Sequence, residues 1–293
     1  MIETIGYLGP AGTFTHEATQ WLFHEGNDEL VAYSSIPDVI SAVDQGICDK
    51  GVVPVENAIE GTVNSTLDWL IHQVDVPIIG ELVYPISQCL LVHPLHARRP
   101  SSEFTKILSH PQAIAQSQLR LRKEFSGSKW VFTDSTAQAA QMVYENPEEY
   151  WIAVGPKKSG EIFGLHLLES NIQDHANNMT RFIVLGKQEK KWLHLAPKRM
   201  KTSMQVMLDS DFPGALYQVL AAFSWRKINL CHIESRPTKT GLGNYYFLVD
   251  AEIQKDHVLL QGAIGEIEAL GCQVRILGSY PCFAYELTSH IGS

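Results

Sequence analysis

Basic charge is scarce in this 293-residue chain: 23 Lys and Arg stand against 32 Asp and Glu, a formal net charge of -9. A nucleic-acid-binding surface needs a basic face. The densest basic stretch, Lys187 to Lys201, reads as a solvated connector, so nucleic acid is not an expected partner. Long apolar runs are missing as well. None approaches the ~20 residues that span a bilayer, so no membrane association is expected. The N-terminal residues 1–8 read directly as a strand, without the basic and apolar regions of a secretory signal. The five cysteines (Cys48, Cys89, Cys231, Cys272, Cys282) are scattered, odd in number and contain no C-x-x-C pair. That excludes a disulfide framework and a cysteine zinc site, and leads us to expect a cytoplasmic protein. No G-x-G-x-x-G, P-loop or G-x-S-x-G is present, so nucleotide binding and a hydrolase elbow are not indicated. His93 and His96 flank Pro94, where helical spacing is disfavoured, and no carboxylate or cysteine is near; no metal is expected.

What remains is 45% apolar and 19% charged, the balance of a soluble globular protein long enough for two domains. Up to about residue 186, short β-rich runs alternate with helical patterns. Strands are expected at 2–8, 51–55, 86–92, 106–108, 130–132 and 152–154, with a further one at 183–185. Helices are expected around Phe14–Leu22, Val39–Val43, Ser65–Gln73, Ala113–Phe125 and Ala137–Tyr144. This rhythm predicts an α/β architecture with largely parallel sheets. After the Lys-rich connector the order becomes β-α-β-β-α-β within roughly 80 residues, a ferredoxin-like arrangement. Its strands are expected at 204–208, 228–233, 245–249 and 274–280, and its helices at 216–223 and 258–270.

Several segments carry polar groups at strand ends. Gly9 to Glu17 joins a strand to a helix: it is either a tight turn capped by Thr13 or Thr15, or an anion site at a helix start. Pro54-Val55-Glu56-Asn57 leaves a buried strand at the end where open α/β sheets place ligand groups. There Asn57 can donate to a carboxylate and Glu56 or Glu60 can handle a proton; the plain alternative is an Asn-stabilised turn with solvated glutamates. Ser109-His110-Pro111-Gln112 and Ser135-Thr136-Ala137 repeat the strand-to-helix pattern, as N-caps also would. Asn177 to Phe182 puts two amides, a hydroxyl and a guanidinium just ahead of the apolar run Ile183-Val184-Leu185. That is either a surface turn before a core strand or a rigid edge able to grip a small anion.

Taken together, these pieces resemble the prephenate dehydratase family. G-P-x-G-T-F-T-x-x-A at 9–18, P-x-E-N at 54–57, S-H-P-Q at 109–112 with Gln116, S-T-A-x-A-A at 135–140 and N-x-T-R-F at 178–182 follow the family's order. The second domain looks like the family's ACT regulatory module, with Gly214-Ala215-Leu216-Tyr217 after its first strand and Glu234-Ser235-Arg236-Pro237 after its second. Tyr217 stands where Val is common, and Ser117 where Cys often follows the Gln.

The resemblance implies a bilobed catalytic domain like a periplasmic binding protein, followed by the ferredoxin-like ACT domain. The catalytic domain would be 1–186, with lobes 1–83 plus 178–186 and 84–177. A linker at 187–201, the ACT domain at 202–281 and a tail at 282–293 would follow. It also implies conversion of prephenate to phenylpyruvate with loss of water and carbon dioxide. Aromatisation drives that reaction, so no cofactor is needed. Thr180 matches the family residue that hydrogen-bonds the departing oxygen or relays a proton to it. Arg181 is a candidate partner of a substrate carboxylate or a brace of its loop, and Asn57, Ser109, Gln116 and Asn178 are candidate donors. Gly12 and Thr13 are a candidate anion site, and Phe182 packs the cleft wall. Phenylalanine is the implied effector, held by Gly214, Ala215 and Leu216 with Glu234, Ser235, Arg236 and Pro237 where two ACT domains pair, in a homodimer or homotetramer. Arogenate dehydratase, a non-catalytic binding protein and an ACT-containing nucleic-acid-binding regulator are the rival readings; the acidic balance disfavours the last.

Overall fold

In the computed structural model, residues 2–23, 27–188, 195–208, 213–238 and 245–285 are described. Residues 189–194 of the expected linker and 286–293 of the expected tail lie outside them. The chain begins with β1 (Thr4–Leu8), α1 (Phe14–Phe23), β2 (Glu29–Tyr33), α2 (Ile36–Asp44), β3 (Lys50–Asn57), β4 (Gly61–Thr62) and α3 (Asn64–His72). Next come β5 (Ile78–Pro85), β6 (Cys89–Val92), β7 (Lys106–Ser109), α4 (Pro111–Ala115), α5 (Gln118–Glu124), β8 (Lys129–Phe132) and α6 (Thr136–Glu145). Then β9 (Trp151–Gly155), α7 (Lys157–Phe163), β10 (His166–Ser170) and β11 (Met179–Gly186) close the first half. The remainder is β12 (Arg199–Met207), α8 (Ala215–Trp225), β13 (Leu230–Pro237), β14 (Tyr245–Ala251), α9 (Val258–Ala269) and β15 (Gln273–Ala284).

Two compact units result: residues 1–68 with 83–182, and residues 69–82 with 183–293. In the first unit, β1 lies parallel between β2 and β3, and the start of β11 bonds to the end of β3 through Ala58 N–H and Met179 O. α2 shows why this lobe folds locally. Ser35 caps it by accepting from Asp38 N, and Val39, Ile40 and Val43 form the buried stripe. Gly46, at φ +73, sits just past its end. The second lobe has its own five-stranded sheet, ordered β10-β6-β9-β7-β8. Leu90, Val92, Ile107, Ile152 and Val154 bury one face, and Leu91, Leu108 and Ala153 the other. This sheet is mixed rather than largely parallel: β7 runs parallel to β8 and β9, but β6 and β10 are antiparallel. The chain enters the lobe through Ile86–Gln88 and leaves through Asp174–Asn178. The two crossings are tied by Ile86 N–H to Asn178 O at 2.8 Å. Two α/β lobes on two crossings make the bilobed architecture of periplasmic binding proteins.

In the second unit the order is β13-β14-β12-β15, antiparallel throughout, with α8 and α9 packed on one core of Val206, Val219, Phe223, Val249, Leu260 and Ile267. That order is the ferredoxin-like one. β13 starts two residues later than the pattern suggested and runs on to Pro237, so Glu234–Pro237 belong to the strand rather than to a segment after it.

Other departures have physical causes. The helix expected over 113–125 is two helices. Asp174 accepts from Leu119 N and Arg120 N, starting α5 afresh, and Asp174 N donates to Gln116 O. Gln116 therefore caps the end of α4 instead of sitting inside a helix. The strand expected over 86–92 begins only at Cys89, because Ile86–Gln88 is the crossing. β5 is not expected from the sequence because Glu81 interrupts its apolar pattern, yet that carboxylate is fully buried.

Candidate active site

A cavity of about 490 Å³ opens between the two lobes of the first unit, within the range of small-molecule sites. The first lobe contributes Thr13, Phe14, Asn57, Glu60, Thr180 and Phe182; the second contributes Gln88, His110, Gln112, Gln116, Ser135 and Thr136. The N-termini of α1 and α6 both reach the lining, and their free N–H groups and dipoles favour an anion. Among the described residues, no Lys or Arg lines this cavity.

Its polar wall is a relay of amides whose orientation can be read from one end. Asn57 Oδ1 accepts from the backbone N–H of Ile59 at 3.0 Å and of Glu60 at 3.2 Å, which fixes which way the amide faces. Its Nδ2 then donates to Thr180 Oγ1 at 2.9 Å and to Asn178 Oδ1 at 3.0 Å. Asn178 Nδ2 donates to Gln116 Oε1 at 2.9 Å, and Gln88 Nε2 donates to the same oxygen at 3.2 Å. Gln116 Nε2 donates to Glu60 Oε1 at 3.3 Å. Because Thr180 Oγ1 is an acceptor toward Asn57, its own hydrogen is directed elsewhere. Thr180 lines the cavity and is 8% exposed. The wall therefore presents an O–H donor whose oxygen is held by a fixed amide.

Residues 5–190 match the family model described as "Prephenate dehydratase". The chain belongs to the prephenate dehydratase family. It is 45% identical to the prephenate dehydratase of Bacillus subtilis (strain 168) over 283 residues, covering 95% of this chain and 99% of that one. The prephenate dehydratase of Arthrobacter aurescens, solved in complex with L-Phe, superposes with a TM-score of 0.83 at 31% identity, covering 95% of this chain and 89% of that one. A structure described as GqqA, a novel type of quorum quenching acylase, superposes with a TM-score of 0.81 at 25% identity, over 95% of this chain and 98% of that one. Prephenate dehydratases are hydro-lyases.

Within this member of the family, the structure brings Asn57, Gln116, Asn178 and Thr180 into one relay, and Thr13 and Phe182 into the same wall. Asn178 is 1% exposed and outside the lining; it is bonded to Asn57 and Gln116. Two expected groups stand elsewhere. Ser109 is fully buried and its hydroxyl donates to Val154 O at 2.6 Å, across to the neighbouring strand, so it offers no donor to the cavity. Arg181 points to the opposite face of β11 from Thr180, as strand alternation requires. Its Nε donates to Glu56 Oε2 at 3.0 Å, which fits the brace of the loop. Gly12 is a point of close approach, not a wall residue. At φ +94, an added Cβ would meet Ser159 Oγ at 3.1 Å, and Gly12 O accepts from that hydroxyl at 2.7 Å. Sequence reading missed Gln88; its only signal was an amide placed just before the apolar run Cys89–Val92.

In the second unit, Gly214 (φ +96) opens α8, where Ala215 is buried and Leu216 partly exposed. On β13, Glu234 accepts from Arg236 Nη1 at 3.0 Å, and His232 lies 3.5 Å from Glu234. Ser235 and Pro237 fall on the alternate, exposed face.

Glu17 joins the two lobes beside the cavity. Pro156 offers α7 no side-chain cap, and Glu17 Oε1 accepts from Lys158 N at 3.1 Å in its place. Burial pushes this carboxyl up to about 7, outweighing the Lys158 amide and charge and the Tyr84 hydroxyl that oppose it; Glu161 adds repulsion. The sign follows directly. The folded chain holds this proton more tightly than the unfolded one, so there is no penalty below about pH 4.5. It grows as pH rises and is complete above about 7, at roughly 3 kcal/mol. Glu17→Gln is expected to raise the melting temperature at pH 8 but not at pH 5, as read by calorimetry at both pH values. An equal shift at the two would show that ionisation of Glu17 carries no penalty.

Proposed function

We propose that this chain converts prephenate to phenylpyruvate in the cavity between its lobes, with Thr180 assisting departure of the ring hydroxyl. The observation that carries this reading is the 2.9 Å bond from Asn57 Nδ2 to Thr180 Oγ1, which leaves the threonine hydrogen to the ligand. The reaction takes one proton: the ring C–O bond breaks, the hydroxyl leaves as water, the ring carboxylate leaves as carbon dioxide, and its bonding pair completes the aromatic ring. An aliphatic hydroxyl is a poor acid, so Thr180 hydrogen-bonds the departing oxygen or relays the proton to it. Asn57, Asn178 and Gln116 position that hydroxyl.

The substrate's two carboxylates meet the N-termini of α1, where Thr13 stands, and of α6, with Ser135 and Thr136 as hydroxyl donors. A lining without Lys or Arg suits decarboxylation. A carboxylate held by neutral donors is less stabilised in the ground state than one paired with a cation, and closing the lobes removes water from it. Phe182 forms the apolar wall.

Residues 1–186 act as the catalytic domain and 202–281 as the ACT domain, with phenylalanine as effector at Gly214–Leu216 and Glu234–Pro237. The L-Phe complex of the Arthrobacter relative supports this reading. A homodimer is supported by β13, an edge strand, and by exposed Tyr217, Ile233 and Tyr245. Five cysteines outside any disulfide fit a reducing, cytoplasmic compartment.

The test is phenylpyruvate release from prephenate by purified protein, with and without phenylalanine. Suppression by phenylalanine is the expected result. Turnover indifferent to phenylalanine removes the effector reading, and a folded protein inactive on prephenate removes the catalytic one. A second reading, arogenate as the preferred substrate, is decided by kcat/KM on both compounds; the identity of 32% to an arogenate dehydratase/prephenate dehydratase of Arabidopsis thaliana favours including it.

A further inference from the structure

Gln88 stands at the far end of the amide relay, on the crossing between the lobes, and its backbone is pinned on both sides. Gln88 N donates to Gln173 Oε1 at 3.0 Å, and Gln88 O accepts from Ile172 N at 3.0 Å. The side chain has no freedom to reverse its amide. Asn57 is oriented by two backbone N–H groups, Asn178 by Asn57, Gln116 by Asn178, and Gln88 must turn its nitrogen to Gln116 Oε1. Reversing Gln88 alone would set two carbonyl oxygens against each other. Its Oε1 is thereby turned away from Gln116, and among the described residues it has no hydrogen-bond partner although the atom is buried and the residue, 2% exposed, lines the cavity. Buried acceptors are nearly always satisfied, and one that the protein leaves unpaired in a cavity wall favours a ligand donor.

The kind of donor follows from the substrate's chemistry, and here the inference rests on the reading that prephenate is that substrate. Its two carboxylates are ionised and its side-chain carbonyl is an acceptor. Each would be repelled by an amide oxygen. The ring hydroxyl is the only O–H or N–H donor it carries. We infer that Gln88 Oε1 accepts the hydrogen of the departing ring hydroxyl, making Gln88 a substrate-orienting residue for the dehydration. With its hydrogen committed to Gln88, the hydroxyl oxygen turns its lone pairs toward the Thr180 O–H, which is the orientation that protonation of the leaving group needs. One relay, begun at Asn57, thus supplies both a donor and an acceptor to the same oxygen. It holds Thr180 at one end and leaves Gln88 Oε1 without a described partner at the other.

The test is Gln88→Met, which keeps length and volume, removes the acceptor, and leaves Gln116 Oε1 its bond from Asn178. Three quantities are measured on wild type and variant: melting temperature, kcat/KM for prephenate, and the inhibition constant of phenylpyruvate, which lacks the ring hydroxyl. The expected result is an unchanged or higher melting temperature, a fall of about tenfold to a hundredfold in kcat/KM, and phenylpyruvate inhibition within twofold of wild type. Equal losses on prephenate and phenylpyruvate would mean that Gln88 only shapes the wall, and unchanged kcat/KM would mean that the acceptor is unused. If the variant loses activity on arogenate but not on prephenate, the oxygen serves an ammonium group and the inference is overturned. Should Gln88→Met fail to fold, Gln88→Asn is put to the same comparison, since shortening withdraws the oxygen while keeping the site polar. A wild-type protein without prephenate turnover is a different result: it removes the substrate assignment before the variant is read.

Discussion

Thr180→Ala is expected to lower kcat on prephenate by about 10²–10⁴-fold, with KM changed far less. The asymmetry follows from what the hydroxyl does. It is not the group that holds the carboxylates, so the ground-state complex loses little. In the proposed reaction it faces the oxygen on which charge develops as the C–O bond breaks, so the transition state loses most. Folding should survive the change, because Asn57 Nδ2 keeps Asn178 Oδ1 and Met179 O as acceptors when Thr180 Oγ1 is gone. Thr180→Ser is the matching control: it retains the hydroxyl and its bond from Asn57, and should stay within about tenfold of wild type. An alanine variant turning over within threefold of wild type, or one whose loss lies wholly in KM, would remove Thr180 from the chemistry.

The second large effect lies in the other unit. Lys201→Met is expected to destabilise the protein by about 3–5 kcal/mol, measured by denaturant unfolding. Lys201 is 3% exposed and its ammonium donates to both oxygens of fully buried Glu81, each at 2.8 Å. Asp250 lies 4.0 Å from the same ammonium and also accepts from Ser203. Desolvating these charges is costly, and the pair about offsets that cost only while both members are present. Removing the lysine leaves the Glu81 carboxylate buried without its cation. The double variant Lys201→Met with Glu81→Gln should recover most of the loss. A double variant no better than the single one would show that packing, not charge, is what Lys201 supplies.

These two sites differ in how much of them could be read beforehand. Thr180 and Asn57 were legible because each falls at a strand end within a short patterned segment, and Gln116 through the S-H-P-Q motif it follows, although its place at the end of α4 was not. Their grouping into one wall needed no more than the family's order of motifs. The Lys201–Glu81 pair was illegible. Its members are 120 residues apart; Glu81 breaks the apolar pattern of β5, and Lys201 closes the basic stretch expected to be a solvated connector, whereas it lies buried in β12. Ser109 and Arg181 show what spacing leaves open. Both lie in recognisable motifs, yet one hydroxyl turns into the sheet and the guanidinium falls on the other face of β11. Residue type and spacing say nothing about which way a side chain finally points.

Local pattern alone carried the α/β alternation of the first part, the β-α-β-β-α-β order of the second, and the segments that hold the candidate site residues. Period-2 and period-3.6 apolar patterns and helix caps are local, and their energies do not wait for distant partners. The polarity of the amide relay, the oxygen of Gln88 left without a described partner, the break between α4 and α5, and the raised pKa of Glu17 come from the assembled fold. Each depends on a group brought from the far side of a crossing or from the other lobe. The direction of a hydrogen bond and the burial of a charge are properties of that assembled surrounding, not of the segment in which the residue sits.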